Sequence, residues 1–189
     1  MDITGKGSLA SYLSGALTVV LIILAGFILI GIGLEIFSIF VDDTVAIVNR
    51  VSLNFSGLRF NVLADPGAEV NISDSFKILT LAYLLIVLFI TYNLREIFKN
   101  LKGEKLFDYQ NPKFMNRIGV SVILLGVVSS FLRLSSGWML HDYLVSAGLD
   151  VDAVFQFDIA IIFIGIVIIL FASIFKKSVD IAEEQKFTV

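Results

Sequence analysis

Three charged residues lie within or at the edge of long apolar runs, where a membrane would surround them: Glu35, Arg133 and Asp158. An ionisable side chain in a bilayer is costly unless paired, and it is by default a candidate functional residue. Arg133 follows Gly119 and Gly126 at heptad spacing, which places all three on one helix face. We therefore predict an intramembrane ion pair between Arg133 and Asp158 or Glu35. The alternatives are an ion or proton path and simple snorkelling to the outer interface.

Few other residues are suited to chemistry. The chain has no cysteine and one histidine, which excludes thiolate metal sites and Cys nucleophiles. His141 precedes Asp142 and lies between Trp138 and Tyr143, aromatic residues that are typical of a membrane interface. A solvated histidine is favoured there over a pH sensor or a weak ligand. We find no phosphate-binding glycine loop and no nucleophile elbow, and we expect no enzyme, no cofactor and no metal.

Composition indicates the elements that must position these residues. The 189 residues are 57% hydrophobic, whereas a soluble domain is about 45–50% apolar. An apolar run of about 20 residues crosses a bilayer as a helix. The sequence predicts one all-α membrane domain, 1–189, containing a bundle of four transmembrane helices. The predicted helices are about 16–41, 76–102, 112–140 and 154–175.

Basic residues predict the orientation, because short loops rich in Lys and Arg remain in the cytoplasm. Such residues cluster in 95–117 and 176–186, whereas the short acidic loop 142–152 has none. Both termini, the loop 103–111 and the tail 176–189 are therefore predicted to be cytoplasmic. The protein is expected to cross the membrane several times.

Glycine and proline indicate how the helices pack and end. Three glycines lie along the first helix and are interpreted as positions of close helix packing: Gly26, Gly31 and Gly33. Gly103 is predicted to stop the second helix. Asn111 is predicted to cap the third helix, with Pro112 at its first position.

The outer loop 42–75 changes from a helical to an alternating period. Two alternating segments flank Ser56-Gly57, a plausible two-residue turn. This predicts a small extracytoplasmic β-hairpin after the first helix, and Val70–Ile72 is a candidate third strand. The predicted pairs are Phe55 with Leu58, Leu53 with Phe60, and Val51 with Val62. A hairpin alone is marginal in water, so a cap on the bundle is favoured over a ligand-binding or partner-binding face.

The cytoplasmic segments combine apolar anchors with acidic residues. The candidate partner-binding residues are Phe98, Leu101, Phe107, Tyr109, Glu183, Glu184, Phe187 and Val189. Aromatic and aliphatic side chains within a polar rim are typical of protein interfaces, and acidic residues would complement a basic partner. The alternative is that loop and tail pack on each other and on anionic lipid headgroups.

Two stretches resemble a known family. LREIFKNLKGEKLFDYQNPKFMNRIG (94–119) resembles the signature loop of the bacterial domain-of-unknown-function 2975 family. EEQKFTV (183–189) is similar to the acidic terminus of that family, although Lys186 and Phe187 stand where an acid or amide and Leu are expected.

The resemblance implies a four-helix protein of the bacterial cytoplasmic membrane without an assigned activity. Genes of this family often lie beside a small helix-turn-helix regulator. We therefore predict the membrane partner or sensor of such a regulator, which acts by protein–protein contact and does not bind nucleic acid directly. The alternative is a small transporter or channel component built as a homo-oligomer.

Overall fold

Four helices form most of the structure, a computed structural model that describes residues 5, 7–40, 50–55, 58–63, 74–146 and 155–186. The helices are α1 Leu9–Phe40, α2 Asp74–Lys102, α3 Gln110–Ser146 and α4 Ile159–Lys186. All four are long and apolar enough to cross a membrane. Many large apolar side chains point away from the protein, and Phe27 and Leu29 of α1 are 67% and 69% exposed. Exposure on this scale suits helices whose solvent is lipid.

The end of α4 extends well beyond the predicted limit near residue 175. The helix continues to Lys186, so most of the segment predicted as a polar tail is helical. Ala172 and Val179 are both buried, which shows that the apolar face of α4 continues past the predicted end. The helix begins at Ile159 rather than near 154, because residues 155–158 are not helical.

The helices pack in chain order and do not close into a bundle. α1 packs on α2, α2 on α3, and α3 on α4. Among the described residues, no Cα atom of α1 lies within 8 Å of α3 or α4, and none of α2 lies within 8 Å of α4. The prediction of a bundle is therefore corrected to an open series of four helices. Periodicity identifies apolar faces, but in lipid an apolar face needs no protein partner.

Glycines allow α3 and α4 to approach closely. A Cβ atom at Gly119 would lie 2.6 Å from Ile169 Cγ1, and one at Gly126 would lie 3.1 Å from Ile162 Cγ1. The glycines of α1 behave differently, because a Cβ at Gly26, Gly31 or Gly33 would meet nothing within 4 Å. The predicted close packing at the α1 glycines is thus wrong within this chain.

Glu104, and not the preceding glycine, takes the left-handed position that ends α2. Its φ is 58°. The Glu104 N–H donates to the Leu101 carbonyl (3.1 Å), and the Lys105 N–H donates to the Asn100 carbonyl (3.0 Å). These two bonds form a Schellman motif, in which glycine is the usual left-handed residue. Gly103 lies where the helix stops, as predicted, but one residue before the conformation that favours glycine.

Asp108 caps α3. Its side chain accepts a hydrogen bond from the Gln110 N–H (2.9 Å), and its carbonyl accepts one from the Asn111 N–H (3.0 Å). The predicted cap at Asn111 is wrong, because the side chain of Asn111 points inward. Pro112 lies in the first turn of α3, where its missing N–H has no intrahelical partner to lose.

Two short strands lie between α1 and α2. β1 (Arg50–Phe55) and β2 (Leu58–Leu63) are antiparallel. The register places Val51 opposite Val62, Leu53 opposite Phe60, and Phe55 opposite Leu58. These are the pairs that the alternation predicts. The turn at 56–57 and the candidate third strand at 70–72 lie outside the described residues.

Candidate functional site

Residues 103–109, the strap, connect α2 to α3. The Asn111 side chain holds the backbone of the strap in place. The Asn111 Nδ2 group donates to the carbonyls of Lys105 and Leu106, both at 3.0 Å. Its Oδ1 atom accepts a hydrogen bond of 2.8 Å from Asn100 Nδ2 at the end of α2. Asn111 is buried, so these bonds satisfy a side chain that water does not reach. One asparagine thus ties the strap to both helices that it connects.

Two aromatic residues fasten the strap to the C-terminal part of α4. The Phe107 ring stacks on the Phe175 ring, with centroids 6.5 Å apart and an interplanar angle of 15°. The Tyr109 hydroxyl donates a hydrogen bond of 2.6 Å to Asp180 Oδ1. The structure therefore places two of the predicted partner-binding residues, Phe107 and Tyr109, against α4 of the same chain.

The hydrogen bond to Asp180 changes the acidity of Tyr109. It raises the pKa of the Tyr109 phenol to about 12, with smaller contributions from desolvation and from the charges of Asp180 and Glu183. A phenol that donates to a carboxylate loses this bond on ionising, so its neutral form is favoured. The hydrogen bond from Tyr109 to α4 therefore depends on a neutral phenol.

The other predicted partner-binding residues lie around this contact. Phe98 and Leu101 are half-buried near the end of α2. Glu183 is half-buried and Glu184 is exposed on α4. Phe187 and Val189 lie outside the described residues, so the structure does not place them.

A shallow apolar groove begins beside Phe175. It has a volume of about 260 Å³, and its lining residues are Met115, Ile168, Phe171, Ile174, Phe175 and Ser178. Phe175 thus belongs both to the groove and to the ring stack with Phe107. The strap therefore lies at one end of an apolar surface between α3 and α4.

At the opposite end of α3 and α4, Arg133 forms an ion pair with Asp158. The pair joins Arg133 Nη2 to Asp158 Oδ2, and the Arg133 side chain remains 52% exposed. Asp158 immediately precedes α4, and its carbonyl accepts the Ile162 N–H at 3.2 Å. Its N–H donates to the buried Ser130 hydroxyl at 3.2 Å. Both backbone and side chain of Asp158 thus hold the start of α4 on α3.

The remaining candidates are Glu35 and His141. Glu35 lies within α1, but its side chain is outside the described part of the chain. His141 is on α3, and its buried Nδ1 atom has no hydrogen-bond partner among the residues that the structure describes. No group of three or more His, Asp or Glu side chains that could hold a metal occurs within the described ranges.

A polar link between α1 and α2 was not predicted. Arg95 Nε donates a hydrogen bond of 2.8 Å to Thr18 Oγ1 of α1. Arg95 Nη1 also lies 2.7 Å from Glu96 Oε1. Arg95 was identified in the sequence only as a basic loop residue, and Thr18 is a single hydroxyl in an apolar run. No spacing in the sequence signals this pair or the contact of Tyr109 with Asp180.

Four apolar helices of membrane length define a multi-pass membrane protein. A family model described as "Protein of unknown function (DUF2975)" matches residues 58–189. The chain therefore belongs to the DUF2975 family, which confirms the family that the sequence resemblance indicated. No curated protein and no solved structure matches the chain.

Proposed function

We propose that the protein is the membrane partner or sensor of a small helix-turn-helix regulator, which it binds through the strap and the end of α4. The observation that supports this most directly is the exposure of the strap. Leu106, Phe107 and Tyr109 are 39%, 50% and 36% exposed, and they lie between the two apolar spans that end at Lys102 and begin at Gln110. Exposed apolar side chains outside a bilayer are typical of interaction sites.

The charge around the strap suits a basic partner. Asp180, Glu183 and Glu184 follow one another along the last turns of α4. A DNA-binding domain carries a basic surface, which these carboxylates complement. Occupation of that surface, or tethering to the membrane, would keep the regulator from its DNA.

The proposed topology places the strap and both termini in the cytoplasm of a bacterial cell, and the β-hairpin outside. The basic residues at 95–117 and 176–177 support this orientation. The Arg133–Asp158 pair then lies toward the outer side. A signal at that end could reach the strap through α3 and α4, because both helices extend from one site to the other.

The alternative function, a small oligomeric transporter or channel component, has less support. A transport path needs charges that face a wet cavity, whereas Arg133 and Asp158 face each other. The groove beside Phe175 is lined almost entirely by apolar side chains. No specific observation favours transport.

Recruitment of the regulator to the membrane tests the proposal. A small helix-turn-helix regulator encoded beside the gene, where the family resemblance predicts one, is expressed as a fluorescent fusion with wild type, with Leu106→Ser and with Ile78→Ser. Ile78 is an exposed aliphatic residue at the other end of α2, which makes Ile78→Ser a matched control. A variant truncated after Lys177 would remove the acidic end of α4, but it is not a suitable test because it also removes the buried Val179.

We expect fluorescence at the membrane with wild type and Ile78→Ser, and loss of it with Leu106→Ser. A hot-spot side chain at an interface contributes about 2 kcal/mol or more, equivalent to a loss of affinity of about thirtyfold or more. If the regulator stays cytosolic with wild type, or is recruited equally by all three proteins, the proposal is wrong.

A further inference from the structure

We propose that the face of α4 formed by Phe175 and Asp180 is a docking surface for a short aromatic segment, and that the strap occupies it as an autoinhibitory contact. The inference rests on the proposed function in one respect, because the segment that displaces the strap would belong to the regulator. The surface itself is defined by contacts within this chain.

The strap shows which chemistry the surface accepts. One aromatic ring stacks on Phe175, and two residues further along a hydroxyl donates to Asp180. A matching segment therefore carries an aromatic residue, then a tyrosine or a basic residue two positions later. A basic residue fits because the group that accepts the Tyr109 hydroxyl on α4 is the carboxylate of Asp180.

The strap can release the surface without unfolding. Asn111 binds the backbone carbonyls of Lys105 and Leu106, and these bonds do not involve the side chains that contact α4. Phe107 and Tyr109 can therefore leave α4 while the strap remains tied to α3. Their partial exposure indicates that a competing segment can approach them from solvent. Because of this internal contact, only a fraction of the molecules is open to a competitor. The apparent affinity of the competitor is reduced in proportion to that fraction.

A synthetic peptide of the strap, residues 102–112, provides a defined probe. The labelled peptide is titrated into the full chain, reconstituted in lipid nanodiscs, as wild type and as the open variant Phe107→Ala/Tyr109→Phe. The control is Tyr92→Phe, which makes the same change at an exposed tyrosine of α2. We expect the open variant to bind the peptide about tenfold more tightly than wild type, and the control to bind like wild type.

Two further proteins keep the test decisive. Tyr109→Phe alone preserves the ring and removes only the hydroxyl bond, so part of the gain is expected even if the double variant folds poorly. Phe175→Ala/Asp180→Asn, added to the open variant, is expected to abolish the gain. Equal affinity of wild type and both strap variants, or a gain that survives without Phe175 and Asp180, overturns the proposal.

The oligomeric state of the open variant distinguishes the possible occupants of the docking surface on α4. A dimer that forms only in the open variant would place the strap of a second copy on the surface and overturn the assignment to a separate partner. A monomeric open variant with higher peptide affinity supports it. The assay contains no regulator, so its result is independent of whether Leu106→Ser affects recruitment.

Discussion

Gly119 and Gly165 face each other where α3 crosses α4, and neither position has room for a side chain. A Cβ at Gly119 would lie 2.9 Å from the Gly165 carbonyl oxygen, and a Cβ at Gly165 would lie 2.8 Å from that of Gly119. Both obstacles are backbone atoms, which cannot move aside as a flexible side chain can. Close approach of this kind is how helices associate in lipid without a hydrophobic driving force. The α3–α4 pair is therefore held in one register.

Gly119→Ala is the first prediction. The new methyl group must push α3 and α4 apart, and overpacking of this kind costs about 1–3 kcal/mol. The matched control is Gly31→Ala in α1, where a Cβ meets nothing within 4 Å. This control should leave stability unchanged or raise it by about 0.5–1 kcal/mol, as alanine usually does in a helix. Reversible unfolding in mixed micelles measures both, and equal stability of the two variants would contradict the close crossing.

The second prediction concerns the end of α2. Glu104 has a φ of 58°, a conformation that costs an ordinary residue about 1–2 kcal/mol and glycine much less. Glu104→Gly is therefore expected to stabilise the protein by about 1 kcal/mol. Gly103→Ala tests the residue that precedes Glu104. Its Cβ would lie 3.5 Å from the Asn100 carbonyl oxygen, an ordinary contact, so Gly103→Ala should be nearly neutral. If Glu104→Gly destabilises the protein, the Glu104 carboxylate stabilises it by more than the left-handed conformation destabilises it.

Local patterns predicted the elements of this fold more reliably than their partners. Alternation predicted the pairing of Leu53 with Phe60, and heptad spacing placed Gly119 and Gly126 on one face. The same reasoning failed for the α1 glycines, because a glycine in an apolar run looks identical whether it faces a helix or lipid. Only a neighbour in space distinguishes the two, and a single sequence does not contain that information.

The candidate site shows the same limit. The strap was identified as an interaction segment from its aromatic residues, but Asp180 was an ordinary acid in a predicted tail. Its contact with Tyr109 exists because α4 continues as a helix to Lys186. The buried Val179 lies one heptad after Ala172 and extends the apolar face of α4. In the sequence this signal is weaker than Lys176 and Lys177, which indicated that the helix ends at the membrane boundary.

The third prediction is a titration. The pKa of Tyr109 is raised from 10.0 to about 12, chiefly by its hydrogen bond to Asp180. Because the folded pKa lies above the unfolded one, the stabilising contact is fully present below pH 10 and is lost as the pH rises through about 12. The difference in tyrosinate absorbance between wild type and Tyr109→Phe isolates this residue from the other tyrosines. Asp180→Asn should bring the midpoint back toward 10, and a wild-type midpoint already near 10 would exclude the hydrogen bond in solution.

The fourth prediction concerns how much each residue of the Arg133–Asp158 pair contributes to the stability of the protein. Asp158→Asn leaves a cation at the N-terminus of α4, where the helix dipole is unfavourable to it, whereas Arg133→Gln leaves a carboxylate that the dipole favours. Asp158→Asn should therefore be the more destabilising of the two single changes. The double variant should lose less than the sum of both, with a coupling of about 1 kcal/mol, because the Arg133 side chain is half exposed.

The exposed pair Asp74–Lys77 at the start of α2 provides the control for that double-mutant cycle. Its atoms are 3.7 Å apart, and the Asp74 side chain is 92% exposed. The cycle of Asp74→Asn and Lys77→Gln should give a coupling of no more than about 0.5 kcal/mol, the usual value for such a pair on a helix surface. If both cycles give the same coupling, the Arg133–Asp158 pair is an ordinary surface contact. A larger coupling for Arg133–Asp158, together with the greater cost of Asp158→Asn, would show that the pair fixes the start of α4 on α3.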